Sequence, residues 1–337
     1  MDNILKVGIL GLGRIGKLHV KTITTYFRSL ISIEAVSDPF IQIDKEWAKE
    51  NGIGKIYDNY IDVINDSDVE AVLICTSTDT HAMLIEETAK AKKHIFCEKP
   101  IDYDPEKINK ALNKVKENGV KLQIGFNRRF DHNFVKIKEF INKKKIGDLH
   151  TLKITSRDPW PPPIEYVKVS GGIYLDMSIH DYDMIRFLTG SEVDEVYAMG
   201  NIRINPEIAQ YGDVDTLVIM LMLTNGAIAV IDNSRQAVHG FDQRVEAFGS
   251  KGCAMVSNDY PDNAVLYTEE GTLSGKPLNF FMDRYANTYV DELKAFVECI
   301  KYDKEPVVSG LDGLKPVLIG LAVKKSLESN KPIKVEE

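Results

Sequence analysis

ILKVGILGLGRIG, residues 4–16, is the stretch from which the rest of the chain is read. Ile4 to Leu10 is a short apolar run of buried-strand type, and Gly11-Leu12-Gly13-Arg14-Ile15-Gly16 follows without a break. An amphipathic stretch from Ile15 to Phe27 comes next and predicts a helix. A G-x-G-x-x-G between a strand and a helix has a mechanical meaning that the isolated motif lacks. Gly11 permits the tight turn, Gly13 lets a pyrophosphate approach the backbone, and Gly16 lets the helix pack on the sheet. Arg14 and Ile15 open the helix, whose free N–H groups and positive dipole end suit phosphate oxygens.

The next predicted strand, Ile31 to Ser37, ends at Asp38, 22 residues beyond Gly16. A carboxylate at that place accepts hydrogen bonds from a ribose diol and repels a 2′-phosphate. Pro39 and Phe40 follow, with no arginine to receive such a phosphate, so NAD is expected rather than NADP. Strand and helix keep alternating: Val69 to Cys75, a helix ending near Lys92, His94 to Cys97, then Leu122 to Gly125. This pattern implies a parallel sheet with right-handed crossovers, and such sheets bind ligands at the carboxyl ends of their strands. Thr76, Ser77 and His81 follow one strand end, and Glu98-Lys99-Pro100 follow another, so both loops are expected to face the cofactor. Read alone, Lys99 is equally a solvated loop residue.

Composition bounds the remaining classes. At 337 residues there is room for two domains, and the net charge of −8 argues against nucleic acid or an anionic membrane as partner. No apolar run approaches the roughly 20 residues of a membrane span. The start, MDNILKVGIL, runs straight into a strand pattern, so no signal peptide is expected. Cys75, Cys97, Cys253 and Cys299 lack C-x-x-C spacing; two of them sit in apolar strand-like runs and read as buried, inert thiols, which fits a reducing cytoplasm. The seven histidines show neither H-x-x-x-H nor H-E-x-x-H spacing, and no metal is expected.

From about Leu149 the pattern changes. His150 to Arg157, Val193 to Arg203, Val214 to Leu223, Ala227 to Asn233 and Arg244 to Phe248 are strand-like, with Asn225-Gly226 as a hairpin signal. The expectation is a Rossmann domain over 1–125, then an α+β domain over 126–337 with a mostly antiparallel open sheet. The late helical stretches, Ala286 to Tyr302 and Leu311 to Ser329, are expected to return toward the first domain. DPWPPP, 158–163, is too proline-rich for regular structure. Val218, Met220 and Met222 would give the sheet an apolar face that a second subunit covers, making a homo-oligomer.

GGIYLDMSIHDYDMIRFLTG, 171–190, reads as one helix closed by Gly190. Asp176 and His180 stand four apart, on one face of such a helix. A carboxylate beside an imidazole fixes its tautomer and raises its basicity, as a general base requires. Equally, the pair is an ordinary surface contact.

GLGRIG, CEKPI at 97–101, GFNRRFD at 125–131 and GGIYLDMSIHD at 171–181 together resemble the glucose–fructose oxidoreductase/inositol dehydrogenase family over essentially the whole chain. The resemblance implies a catalytic set of Lys99, Asp176 and His180, with Arg129 and Asp158 lining a polyol pocket. The activity it implies is NAD-dependent oxidation of a secondary alcohol of a cyclitol, myo-inositol first. Alternatives are another polyol or sugar (scyllo-inositol, a hexose, a keto-sugar) and a non-catalytic NAD-binding sensor. Dimers or tetramers built through the sheet are implied as well. One departure is Gly240-Phe241-Asp242, where members often read G-Y-D; a tyrosine hydroxyl on the substrate would be lost here.

Overall fold

The alternation of the first half folds as a six-stranded parallel sheet in a computed structural model that describes residues 4–336. Met1–Asn3, on which the expectation of no signal peptide partly rests, lie outside the described residues. The strands are β1 (Leu5–Leu10), β2 (Ile31–Ser37), β3 (Lys55–Tyr57), β4 (Ala71–Ile74), β5 (His94–Glu98) and β6 (Leu122–Gly125). Their order, β3-β2-β1-β4-β5-β6, reverses between β1 and β4, which is where a doubly wound sheet opens its ligand crevice. Helices α1 (Arg14–Tyr26), α2 (Ile41–Glu50), α3 (Tyr60–Asn65), α4 (Thr78–Lys90) and α5 (Pro105–Asn118) make the crossovers. Asp104 caps α5 through the amide of Glu106, with Pro105 at its first turn and Gly119 in the left-handed region at its end.

The chain divides into two units: one holds the residues up to Asn127 plus Tyr289–Leu314, the other Arg128–Thr288 plus Lys315–Glu337. The first division falls after Asn127, two residues beyond the end of β6. The second segment of the first unit belongs to the late helical stretches expected to return toward the first domain. The cause of this return is apolar: Leu293, Phe296 and Val297 are buried in one cluster with Val7, Ile9, Ile23 and Phe96. Phe96 and Phe296 meet edge to face at 5.8 Å.

In the second unit, α6 (His132–Asn142) leads to β7 (Leu149–Arg157), after which the proline-rich 158–163 is irregular, as expected. Three short helices follow, α7 (Ile164–Val167), α8 (Ile173–Asp176) and α9 (Ile179–Thr189). Then come β8 (Val193–Asn201), β9 (Thr216–Leu223), β10 (Ile228–Ser234), β11 (Asp242–Gly249), β12 (Gly252–Val256) and a separate hairpin of β13 (Val265–Thr268) and β14 (Gly271–Ser274). The chain closes with α10 (Phe281–Arg284), α11 (Ala286–Lys301), α12 (Gly310–Ser329) and β15 (Ile333–Lys334). The large sheet runs β12-β11-β7-β10-β9-β8-β15. It is mixed: β7 and β10 pair in parallel, and the other neighbours pair antiparallel. Side chains of β9 alternate strictly, with Leu217, Ile219 and Leu221 buried and Val218, Met220 and Met222 exposed. Met199, Ile228 and Phe248 are exposed too, and Met199 and Ile228 stand opposite Val218 and Met222. Among the described residues no helix is long and apolar enough to cross a membrane.

Candidate active site

In the first unit the glycine turn has the geometry of a phosphate cradle. Gly11 takes φ +88°, and a Cβ there would stand 2.6 Å from the Cys75 carbonyl oxygen. A Cβ on Gly16 would stand 1.9 Å from the Gly11 carbonyl oxygen, so the start of α1 packs directly on the turn. Gly13 differs: no atom lies within 4 Å of its would-be Cβ, and as N-cap of α1 it spends no side chain on the helix amides. That open side, next to exposed Arg14 and half-buried Ile15, is where a pyrophosphate fits.

Asp38 stands at the end of β2 and accepts from the Leu12 amide at 2.7 Å (Oδ2) and the Phe40 amide at 2.8 Å (Oδ1). It thereby locks the turn while each oxygen keeps a lone pair for a ribose hydroxyl. Thr76 shares a hydroxyl contact with Thr80 at 2.6 Å, and Ser77 is the N-cap of α4 without using its hydroxyl as a cap. His81, expected at the cofactor, is the fourth residue of α4. Its ring is buried, with Nδ1 at 2.8 Å from the Pro100 oxygen and Nε2 at 3.0 Å from the Thr76 oxygen. A neutral ring donates to one of these carbonyls according to its tautomer, so His81 bridges the loop after β4 and the loop after β5; burial pushes its pKa down against these carbonyls.

Glu98 accepts from His19 Nε2 at 2.8 Å. Buried Glu292 brings a carboxylate oxygen within 4.8 Å of ligand atoms of both residues, yet neither of its oxygens has a hydrogen-bond partner among the described residues. Burial pushes the Glu292 carboxyl well above the usual carboxylate range, and the charge of Glu98 adds to this. A proton on Glu292 therefore balances the pair. His19 was legible as a histidine on the buried face of α1, three and four positions from Gly16 and Ile23. Glu292, distant in sequence, was not. Lys99 is half-buried beyond Glu98, and the Lys99–Pro100 peptide is cis.

In the second unit the stretch 171–190 corrects the expectation of one helix. Ser178 separates α8 from α9, its hydroxyl bonding the Ile173 carbonyl and Asn233 Oδ1 at 3.2 and 2.5 Å. Asp176 ends α8 and His180 lies in the first turn of α9. The Asp176 carboxylate accepts from Tyr166 Oη and Arg235 Nη1, each at 2.7 Å. Between Gly172 and Ile185, Asp176 and His180 are the two residues that are not buried.

Around them runs a buried polar network. Arg128 donates to Asp181 at 2.8 Å, and Asn233 donates to the other oxygen of Asp181 at 2.8 Å. Burial lifts the Asp181 carboxyl while Arg128 and Asn233 oppose the lift. Arg129, expected to touch a polyol, is buried and forked onto Asp183 with contacts of 2.6–3.1 Å, its guanidinium over the Phe187 ring. Asp183 thus takes up the Arg129 fork. Asp158, expected in the same pocket, lies among Arg235, Asp176, Arg128 and Asp181, and burial pushes its carboxyl up to about 6. Phe241 is buried and meets Tyr285 edge-on at 5.9 Å. Arg235 and Tyr166 went unread because an arginine or tyrosine in a loop reads as solvated.

A dinucleotide cradle at a Rossmann switch point marks an NAD-dependent oxidoreductase, and Asp176 and His180 are half-buried residues of its second unit's helical stretch. The family models agree: residues 5–126 match the oxidoreductase family, NAD-binding Rossmann fold, and residues 134–255 match the GFO/IDH/MocA C-terminal domain. The chain is 47% identical to the uncharacterized oxidoreductase YrbE of Bacillus subtilis, over 100% of this chain and 98% of the relative. It is 45% identical to myo-inositol 2-dehydrogenase of Thermotoga maritima, over 99% of each. The crystal structure of scyllo-inositol dehydrogenase from Lactobacillus casei, with bound NAD(H) and scyllo-inositol, matches with a TM-score of 0.92 at 31% identity, over 99% of each chain. This chain belongs to the GFO/IDH/MocA oxidoreductase family.

Proposed function

We propose that the protein oxidises a secondary alcohol of a cyclitol, myo-inositol first, with Lys99, Asp176 and His180 as the catalytic set. What carries this reading is that Asp176 and His180 alone stay half-buried within an otherwise buried stretch, in a chain so similar to a myo-inositol 2-dehydrogenase. NAD, held by Gly11, Gly13, Arg14, Ile15, Asp38, Thr76, Ser77 and Glu98, supplies the acceptor for the carbon-bound hydrogen. His180 takes the hydroxyl proton as general base, and Asp176 orients the imidazole and stabilises its charged form. Lys99 donates to the reacting oxygen and stabilises the negative charge that develops there, a contribution of ~2–4 kcal/mol for such a donor. Asp158 shapes the polyol pocket. Arg129 contributes through its fork with Asp183, holding α9 rather than substrate.

The test is NADH formation from myo-inositol, scyllo-inositol, glucose and sorbitol, by the parent and by His180→Ala. Turnover of myo-inositol that falls ~10²-fold or more in the variant is the expected result. Turnover of scyllo-inositol or a hexose alone would move the substrate and keep the chemistry. Tight NAD binding without turnover would replace this reading with that of a sensor. A second copy of the chain covers the apolar sheet face in this reading. The four free thiols, three of them buried, fit a reducing cytoplasm, and recovery of the protein in a secreted fraction would refute that setting.

A further inference from the structure

The segment that carries Asp176 is held at both ends. At its start, the Ile173 amide donates to Asp213 Oδ1 at 2.9 Å, so a side chain from just before β9 caps α8. At its end, Tyr166 holds one oxygen of Asp176 and Arg235 the other. Arg235 follows β10, and its own amide donates to the Asp215 carbonyl at 2.8 Å, so the β9–β10 pair fixes the backbone from which it reaches.

Two arginines of this unit make an informative contrast. Arg129 uses its fork as a structural arginine does, with Nε and Nη2 both on Asp183. Arg235 is 2% exposed, yet only Nη1 is hydrogen-bonded, while Nε and Nη2 are buried without a partner. Asp158 and Asp213 face it as charges but not as hydrogen-bond acceptors. A guanidinium placed only for stability would settle into a forked pair. This one leaves two donors unused and aims one at Asp176.

We infer that Arg235 is a positioning residue: it holds the Asp176 carboxylate in the orientation from which Asp176 acts on His180. This rests on the reading of Asp176 and His180 as acid and base. The claim is that Arg235 acts through Asp176, so its effect on turnover must disappear when Asp176 can no longer act.

A double-mutant cycle tests this. Arg235→Met, Asp176→Asn and the double variant are assayed for kcat and KM with the cyclitol the parent turns over, and for NADH affinity by fluorescence. Arg235→Met should lower kcat at least tenfold in the parent, leaving NADH affinity unchanged, and should lower it less than about threefold in the Asp176→Asn background. An equal loss in both backgrounds, or no loss in the parent, overturns the inference. If Asp176→Asn and His180→Ala themselves leave kcat intact, the underlying reading fails instead. Should Arg235→Met not fold, Arg235→Lys runs the same cycle. It keeps a cation but not the reach, and its loss of kcat must again vanish in the Asp176→Asn background.

Discussion

Replacing Gly16 by alanine tests whether the dinucleotide cradle depends on direct backbone packing. The new methyl would sit 1.9 Å from the Gly11 carbonyl oxygen and 3.0 Å from its carbon. Ordinary contact is about 3.5 Å, so turn and helix must part by roughly 1.5 Å. Both obstacles are backbone and cannot rotate away, which places the cost near the upper end of the ~1–3 kcal/mol of overpacking. Alanine returns about 0.5–1 kcal/mol of helix propensity, leaving a net loss of about 2 kcal/mol. In urea this lowers the midpoint by roughly 0.5–1 M. The shift also carries the α1 amides away from the phosphate, so the Kd for NADH should rise at least about tenfold, or 1.4 kcal/mol. Gly13→Ala is the contrast. Its methyl enters open space, so the midpoint should stay within about 0.3 M of the parent while NADH affinity falls. NADH fluorescence titration and urea unfolding read both. A Gly16→Ala variant with parental midpoint and parental Kd would refute the reasoning.

Two further outcomes follow from the second unit. Burial pushes the Asp158 carboxyl from an ordinary 3.8 up to about 6, so the folded state holds its proton more tightly than the unfolded chain does. Stability from this group is therefore full below pH 4 and is lost as pH rises through 6, by about 1–3 kcal/mol. Asp158→Asn should flatten that slope in denaturation curves taken between pH 4 and pH 7, and an unchanged slope would count against the buried, charge-crowded carboxyl. Met220 stands amid the exposed apolar face of the large sheet. Sedimentation should give an oligomer for the parent and a shift toward monomer for Met220→Lys; a monomeric parent at micromolar concentration would dismiss the covered face.

Legibility in the sequence followed distance along the chain. The turn at 11–16, Asp38 and the strand–helix alternation are local and came through. The break at Ser178 did not, because apolar spacing continues across it while the hydroxyl that interrupts the helix bonds a residue 55 positions away. Asp181 and Asp183 carry charge and so read as helix surface, yet each is buried against an arginine more than fifty residues upstream. Hairpin signals reveal antiparallel neighbours, and the parallel pairing of β7 with β10 has no comparable signal. The late helices were expected to return toward the first domain, but which residues receive α11 carried no signal: amphipathicity shows that a helix buries a face, not which surface receives it.

That placement also governs the order in which the protein is built. As the chain leaves the ribosome, the segment ending at Asn127 emerges with its sheet and crossover helices but without Leu293, Phe296 and Val297, which cover Phe96 and Ile23. The other unit waits as well, because it needs the residues after Leu314. Neither unit can therefore complete its core before its late segment has left the ribosome. The nascent chain carries an open apolar seam along Ile23 and Phe96 until residues 289–314 have emerged to cover it.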